Sequence, residues 1–159
     1  MSVERAKAAL AAAGVDPGRV RELDTSSATV TLAAEALGCE EARIAKSLAF
    51  HIPGEPDRIL LVVAAGDKKV DNAKYKARFR SKARMLSREE APDCVGFAAG
   101  GVCPFGVKEG VEVYLDESLR RFDTVFPAAG SSNSLIELSI PELERASAAL
   151  GWVDVCRFC

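Results

Sequence analysis

Residues 58–66 read RILLVVAAG: after Arg58 the segment holds no charged or strongly polar side chain. Successive side chains of a strand point to opposite faces, so apolar residues at both odd and even positions put oil on both sides of a sheet. A strand of this kind has to be central and covered on both faces. The preceding RIAKSLAFHI (43–52) is its expected neighbour, joined to it through PGEPD, whose prolines and glycine mark a turn.

The remaining segments supply the cover. Residues 2–13 read as a helix capped by Ser2 and stopped by Gly14, and VRELD (20–24) as a short strand. TVTLAAEALGC reads as a second helix with Thr29 or Thr31 as cap and Gly38 as stop. Asp71 is expected to cap a short helix to about Phe79, with Tyr75 and Phe79 on its buried side, although the even spacing of basic residues from Lys74 to Arg84 also fits a strand. Ser87 and Glu90 stand at capping-box spacing. VEVYLDESL (111–119) is a strand entering a helical turn, and TVFPAAG and SLIELSI are two further strands. Pro141 opens a last helix reaching Gly151, and WVDVC is a final strand. Strands and helices do not alternate strictly, so the expected class is α+β with a mixed sheet, one domain over 1–159.

No apolar run approaches the roughly 20 residues that cross a bilayer, and the first residues lack the order of a signal peptide, so no membrane partner and a cytoplasmic location are expected. Five cysteines, an odd and scattered set, argue against a disulfide framework. Cys156 and Cys159 form one C-x-x-C, but His51 is the only histidine, so neither metal nor other cofactor is expected. Net charge is −2, yet residues 68–84 hold eight basic residues and one acidic, a local +7 that leaves −9 on the rest. Clustered charge of one sign is the footprint of a polyanion, or else a solvated face.

Residues 98–107, AAGGVCPFGV, are nearly bare of side chains. Such a stretch is either a tight turn or a loop whose backbone N–H groups face a ligand. Cys103 inside it reads as a packing or pocket residue rather than a nucleophile, since no histidine is near it in sequence. His51, before Pro53, reads as solvent-exposed, and Asp67 and Asp116 as caps of the turns that follow them.

Five stretches, in this order, resemble one family. ALGCEEARIAKSLAF is similar to the lysine-bearing strand of the YbaK/EbsC-like proteins, free-standing relatives of the editing domain inserted in bacterial prolyl-tRNA synthetase. LLVVAAGDKKVD resembles the family's strand and its glycine–aspartate–lysine turn, and GGVCPFG its G-x-x-x-P loop, here Gly100 to Pro104. VEVYLDESL and FPAAGSSNSLIELS resemble the later strands. The resemblance implies a mostly antiparallel, barrel-like mixed sheet ringed by helices. It implies an aminoacyl-tRNA deacylase that frees a small amino acid such as Cys, Ala, Ser or Thr from a mischarged tRNA, often tRNA for proline.

On that resemblance the partners are the 3′ acceptor end of the mischarged tRNA and, secondarily, prolyl-tRNA synthetase. Lys46 supplies a point charge, and the backbone of Gly100, Gly101 and Val102 supplies donors for the developing oxyanion. Thr25, Ser26, Thr29, Ser47 and Pro104 are expected at the substrate, while Gly130 and Ser131 either border the amino-acid pocket or form a hairpin turn. Lys68, Lys69, Lys74, Lys76 and Arg78 are expected on the tRNA backbone. An aminoacyl ester is already activated, so a Ser–His–Asp system is not required. The rival reading is a non-catalytic tRNA- or synthetase-binding module of the same fold.

Overall fold

Covering both faces of the apolar run determines the architecture. The computed structural model describes residues 2–159. In chain order the elements are α1 (Ser2–Ala12), β1 (Arg21–Glu22), α2 (Val30–Leu37), β2 (Ile44–Ile52), β3 (Glu55–Ala65), β4 (Lys68–Val70), α3 (Asn72–Phe79), β5 (Arg84–Met85), α4 (Ala91–Cys94), β6 (Glu112–Asp116), β7 (Thr124–Pro127), β8 (Ser134–Leu135), β9 (Leu138–Ser139), α5 (Ile140–Ser147), β10 (Gly151–Val153) and β11 (Cys156–Phe158).

β3 lies between β2 and β6 in a main sheet ordered β10-β6-β3-β2-β7-β9, with β5 also on β2. The sheet is mixed and curled into a half-barrel: β6 pairs parallel with both β10 and β3, and β2 parallel with β7, while β2 pairs antiparallel with β3 and β5, and β7 with β9. Two small antiparallel pairs, β1–β8 and β11–β4, complete the set.

Along β3 the side chains divide between two cores. Ile59, Leu61, Val63 and Ala65 enter the larger one, with Ala6 and Leu10 of α1 and Leu143 and Ala146 of α5. Leu60, Val62 and Ala64 enter the second, with Phe50, Tyr75, Tyr114 and Val155. Burying a leucine or valine side chain contributes about 1.5–3 kcal/mol, so this strand is the main apolar investment of the fold. A third, smaller core joins Ala33 and Ala34 of α2 to Ile44, Phe126 and Leu135.

Local signals hold where they are satisfied locally. Thr29 Oγ1 accepts the Leu32 N–H, Gly38 closes α2 at φ 66°, and Asp71 accepts the Lys74 N–H, so the basic stretch begins as helix rather than strand. Ser87 and Glu90 make both bonds of the capping box. Long-range pairing overrides two expectations. α5 stops at Ser147 with Ala148 at φ 51°, and Gly151 instead begins β10, where it pairs with Tyr114 of β6. SLIELSI divides into β8 and β9 because they pair with different strands, β1 and β7.

Gly66, ending β3, packs against the turn that precedes β2. A Cβ there would fall inside the van der Waals shell of the Glu41 carbonyl oxygen and 2.7 Å from Val30 Cγ1. Gly66→Ala is therefore expected to lower the unfolding free energy by about 1–3 kcal/mol. Urea unfolding checks this; an unchanged midpoint would contradict the packing account.

Candidate active site

β2 is bordered by β3 along nearly its whole length on one side. On the other side β7 pairs only with Ile44 and Ala45, and β5 only with Phe50 and His51. The Leu86 N–H closes the Ala49 carbonyl at 3.0 Å, which leaves a gap in the sheet beside Lys46, Ser47 and Leu48. Main-chain groups in an antiparallel strand alternate between its two edges. Since Ala49 directs its carbonyl away from β3, Ser47 two residues earlier presents its N–H and C=O to the gap.

A cavity of about 390 Å³ fills this gap. The edge of β2 forms one wall, and Ser27 to Val30, leading into α2, forms a second. The first N–H groups of a helix have no intrahelical acceptor, and its dipole favours negative charge at this end. Gly100 and Val102 of the glycine loop form a third wall, and Met85 to Arg88 a fourth. Within the cavity wall, Ser47 Oγ is buried with no hydrogen-bond partner among the described residues. A buried hydroxyl without a partner is costly, and at a cavity surface it points to a ligand or water.

Lys46, Ser47, Thr29, Gly100 and Val102 all line this cavity. Lys46 and Ser47 project to opposite faces of β2, and Lys46 Nζ donates to the Lys68 carbonyl. Gly100 takes φ 90°, a conformation glycine adopts without strain. Among the described residues its N–H and that of Val102 have no acceptor.

Gly101 requires a correction. Its N–H donates to the Ala98 carbonyl at 3.0 Å, so it is no free oxyanion donor. A Cβ there would lie 2.8 Å from Ser131 Cα and 2.9 Å from the Gly130 carbonyl, so its bareness serves loop-on-loop packing. Gly130 in turn backs onto Ser2, whose carbonyl would lie 2.6 Å from an added Cβ. Ser131 hydrogen-bonds Asn133 and Ser134, and Pro104 is buried. None of these four lines the cavity, nor do Thr25 and Ser26; Ser26 accepts the Ala28 N–H in a local turn.

The basic residues also divide. Lys74 is tied to Asp154 at 3.1 Å and to the Cys156 carbonyl, and Lys68 sits over the Phe158 ring at 3.6 Å. Lys69, Lys76 and Arg78 are exposed, Arg78 stacking beside Phe79 and Tyr114. Two tie-downs differ from expectation. His51 is half-buried and 2.8 Å from Glu90 Oε2, and Asp67 pairs with Arg121 at 2.6 Å rather than capping a turn, which holds its carboxyl below the usual range. Asp116 does cap, accepting from Ser118 and also from Val155. Sequence reasoning missed Ser27, Met85 and Arg88; Ser27 is set by its long-range bonds to the Ser132 carbonyl, and Met85 and Arg88 by β5 pairing to β2, neither of which a local pattern announces.

With this geometry in view, the kinship is clear. Residues 24–146 match the aminoacyl-tRNA editing domain, and the chain belongs to that family. It is 55% identical over 138 residues to the uncharacterized protein YwhH of Bacillus subtilis, covering 87% of each chain. It is 33% identical over 121 residues to the proline–tRNA ligase of Halalkalibacterium halodurans, of which it spans 21%. A solved structure of a proposed trans-editing enzyme for prolyl tRNA synthetase superposes with a TM-score of 0.84 at 31% identity, covering 98% of this chain and 97% of the other. Among the described residues no helix is long and apolar enough to cross a membrane.

Cys103 is fully buried in the larger core, its thiol directed at the Phe105 carbonyl, and burial pushes its pKa up to about 12. It is packing, not a nucleophile. Iodoacetamide at pH 8 on the native protein is expected to modify the exposed Cys159 and leave Cys103 untouched. Peptide mass mapping reads this; labelling of Cys103 at the rate of Cys159 would contradict its burial.

Proposed function

We propose that this protein is a trans-acting aminoacyl-tRNA deacylase that hydrolyses the ester joining a small amino acid to the 3′-terminal ribose of a mischarged tRNA. The observation that carries the reading is the gap in the sheet. There a lysine, an unpartnered serine hydroxyl, a helix N-terminus and two loop residues whose N–H groups have no acceptor among the described residues line one cavity of about 390 Å³. That volume accommodates a small aminoacyl group and part of its ribose, not a whole nucleotide chain. The prolyl-tRNA ligase and trans-editing relatives favour tRNA for proline as the carrier.

In this mechanism a water oxygen attacks the ester carbonyl carbon, and the carbonyl oxygen takes up negative charge. The N–H groups of Gly100 and Val102 are the donors for that oxygen; a well-placed donor of this type is worth about 3–4 kcal/mol. Collapse breaks the bond to the ribose oxygen, which receives the proton lost by the water, leaving a free amino acid and an uncharged 3′ end. Lys46 stands beside the ribose and its phosphate as a positive charge, exchanging its bond to the Lys68 carbonyl for one to substrate. Ser47 satisfies its hydroxyl on the substrate.

Single-turnover hydrolysis of tRNA charged with alanine, serine, threonine, cysteine or proline tests the reading. The wild type is expected to clear at least one small aminoacyl group. Lys46→Ala should lose most of that rate with an unchanged circular dichroism spectrum, and Gly100→Val should lose about two to three orders of magnitude. A wild type inert toward every charged tRNA would leave the binding-module reading. A fully active Lys46→Ala would reduce Lys46 to a tether for the Lys68 carbonyl.

A further inference from the structure

From Lys76 to Arg88 the chain carries six basic residues and no acidic one, and all six are exposed. Elsewhere five arginines are neutralised, Arg19 by Glu142, Arg43 by Glu137, Arg58 by Glu112, Arg120 by Glu117 and Arg121 by Asp67, and the four that are not, Arg5, Arg21, Arg145 and Arg157, are scattered along the chain. Within 80–88 the cations Arg80, Lys82, Arg84 and Arg88 have no carboxylate partner among the described residues. The nearest acids in sequence are Glu89, which is exposed, and Glu90, which is engaged by His51 and by the Ser87 N–H.

This stretch is held in place rather than loose. Arg84 and Met85 pair with His51 and Phe50 of β2, Leu86 bonds Ala49, and Ser87 and Glu90 bond each other. The span ends in the cavity wall, where Met85 and Arg88 both stand, and Met85 is 58% exposed although it is a large apolar side chain. Cations carried on a held backbone, with Arg88 at the cavity itself and an exposed apolar side chain beside it, are the parts a single-stranded nucleic acid uses: charge for phosphates and an apolar face for a base.

We propose that residues 84–88 are the track by which the single-stranded 3′ end of an RNA enters the cavity, with Arg84 and Arg88 on its phosphates and Met85 under its last base. The inference rests on the deacylase reading for its substrate, and it moves the main nucleic-acid contact from Lys68, Lys69 and Lys74 to the β5 edge. The pairing of β5 with β2 preorganises the backbone of the contact, so the ordering cost of binding falls on the side chains alone.

The test is fluorescence anisotropy with a 5′-labelled single-stranded RNA dodecamer ending in CCA, titrated at several salt concentrations. Each lost single-strand phosphate contact lowers the slope of log K against log salt by about 0.7. Arg84→Gln/Arg88→Gln is expected to lower it by about 1.4, while Arg21→Gln/Arg157→Gln, at exposed basic sites elsewhere, keeps the wild-type slope. Met85→Ala should weaken binding several-fold at an unchanged slope. An unchanged slope in the Arg84/Arg88 variant, an equal fall in the Arg21/Arg157 variant, or no binding of the RNA at all would overturn the track. Wild-type hydrolysis of charged tRNA is measured in parallel. Hydrolysis with an unchanged slope retires the track alone; the expected slopes with no hydrolysis retire the deacylase reading and keep the track.

Discussion

Main-chain N–H and C=O groups inside a protein must find partners, and β2 is built so that some of its groups cannot find them within the sheet. β7 leaves it after Ala45 and β5 joins it only at Phe50, so the edge at Ser47 faces an opening instead of a strand. A buried polar group left unpaired costs about 1–3 kcal/mol. That cost is tolerable only where water or a ligand takes the missing bonds, and the unpartnered Ser47 hydroxyl lies at the same place. The candidate site is thus an interruption in pairing rather than a cleft between two bodies.

The rest of the fold holds that interruption open. β3, buried on both faces, fixes β2 from behind through seven consecutive residue pairs, Ala45↔Ala65 to His51↔Ile59. α2 is anchored by Ala33 and Ala34 against Ile44, Phe126 and Leu135, which aims its N-terminus at the gap. The glycine loop is wedged from below: Phe97, Cys103 and Phe105 plug the larger core, and Gly101 seats on the Gly130–Ser131 backbone. Only Ala99, Gly100 and Val102 are left at the cavity. The fourth wall is pinned by polar contacts, Glu90 bridging His51 and the Ser87 N–H, with its carboxyl held below the usual range chiefly by that backbone bond.

What could be read from the chain alone follows from how local each signal is. The apolar run of β3 carries its own meaning, because oil at both parities of a strand admits one environment. Thr29, Asp71 and Ser139 cap helices through bonds three residues away, and of these Thr29 and Asp71 were legible. Glycine is harder. Gly100 and Gly101 look alike in sequence, yet one faces the cavity and the other faces backbone 30 residues on, and only the fold distinguishes them. Lys74 reads as a free cation because its partner Asp154 lies 80 positions away. Arg88 reads as one more surface charge until β5 is paired to β2.

The central claim is that an aminoacyl ester is held at the gap in β2. Backbone amide shifts on titration with a non-hydrolysable 3′-aminoacylamino-adenosine test it most directly. The account predicts saturable shifts at Ser47, Val30, Gly100 and Val102, with smaller ones around Gly101, whose N–H already bonds Ala98. Shifts confined to a separate cavity of about 300 Å³ lined by Asp57, Cys94 and Gly110, with Ser47 and Gly100 unmoved, would contradict it.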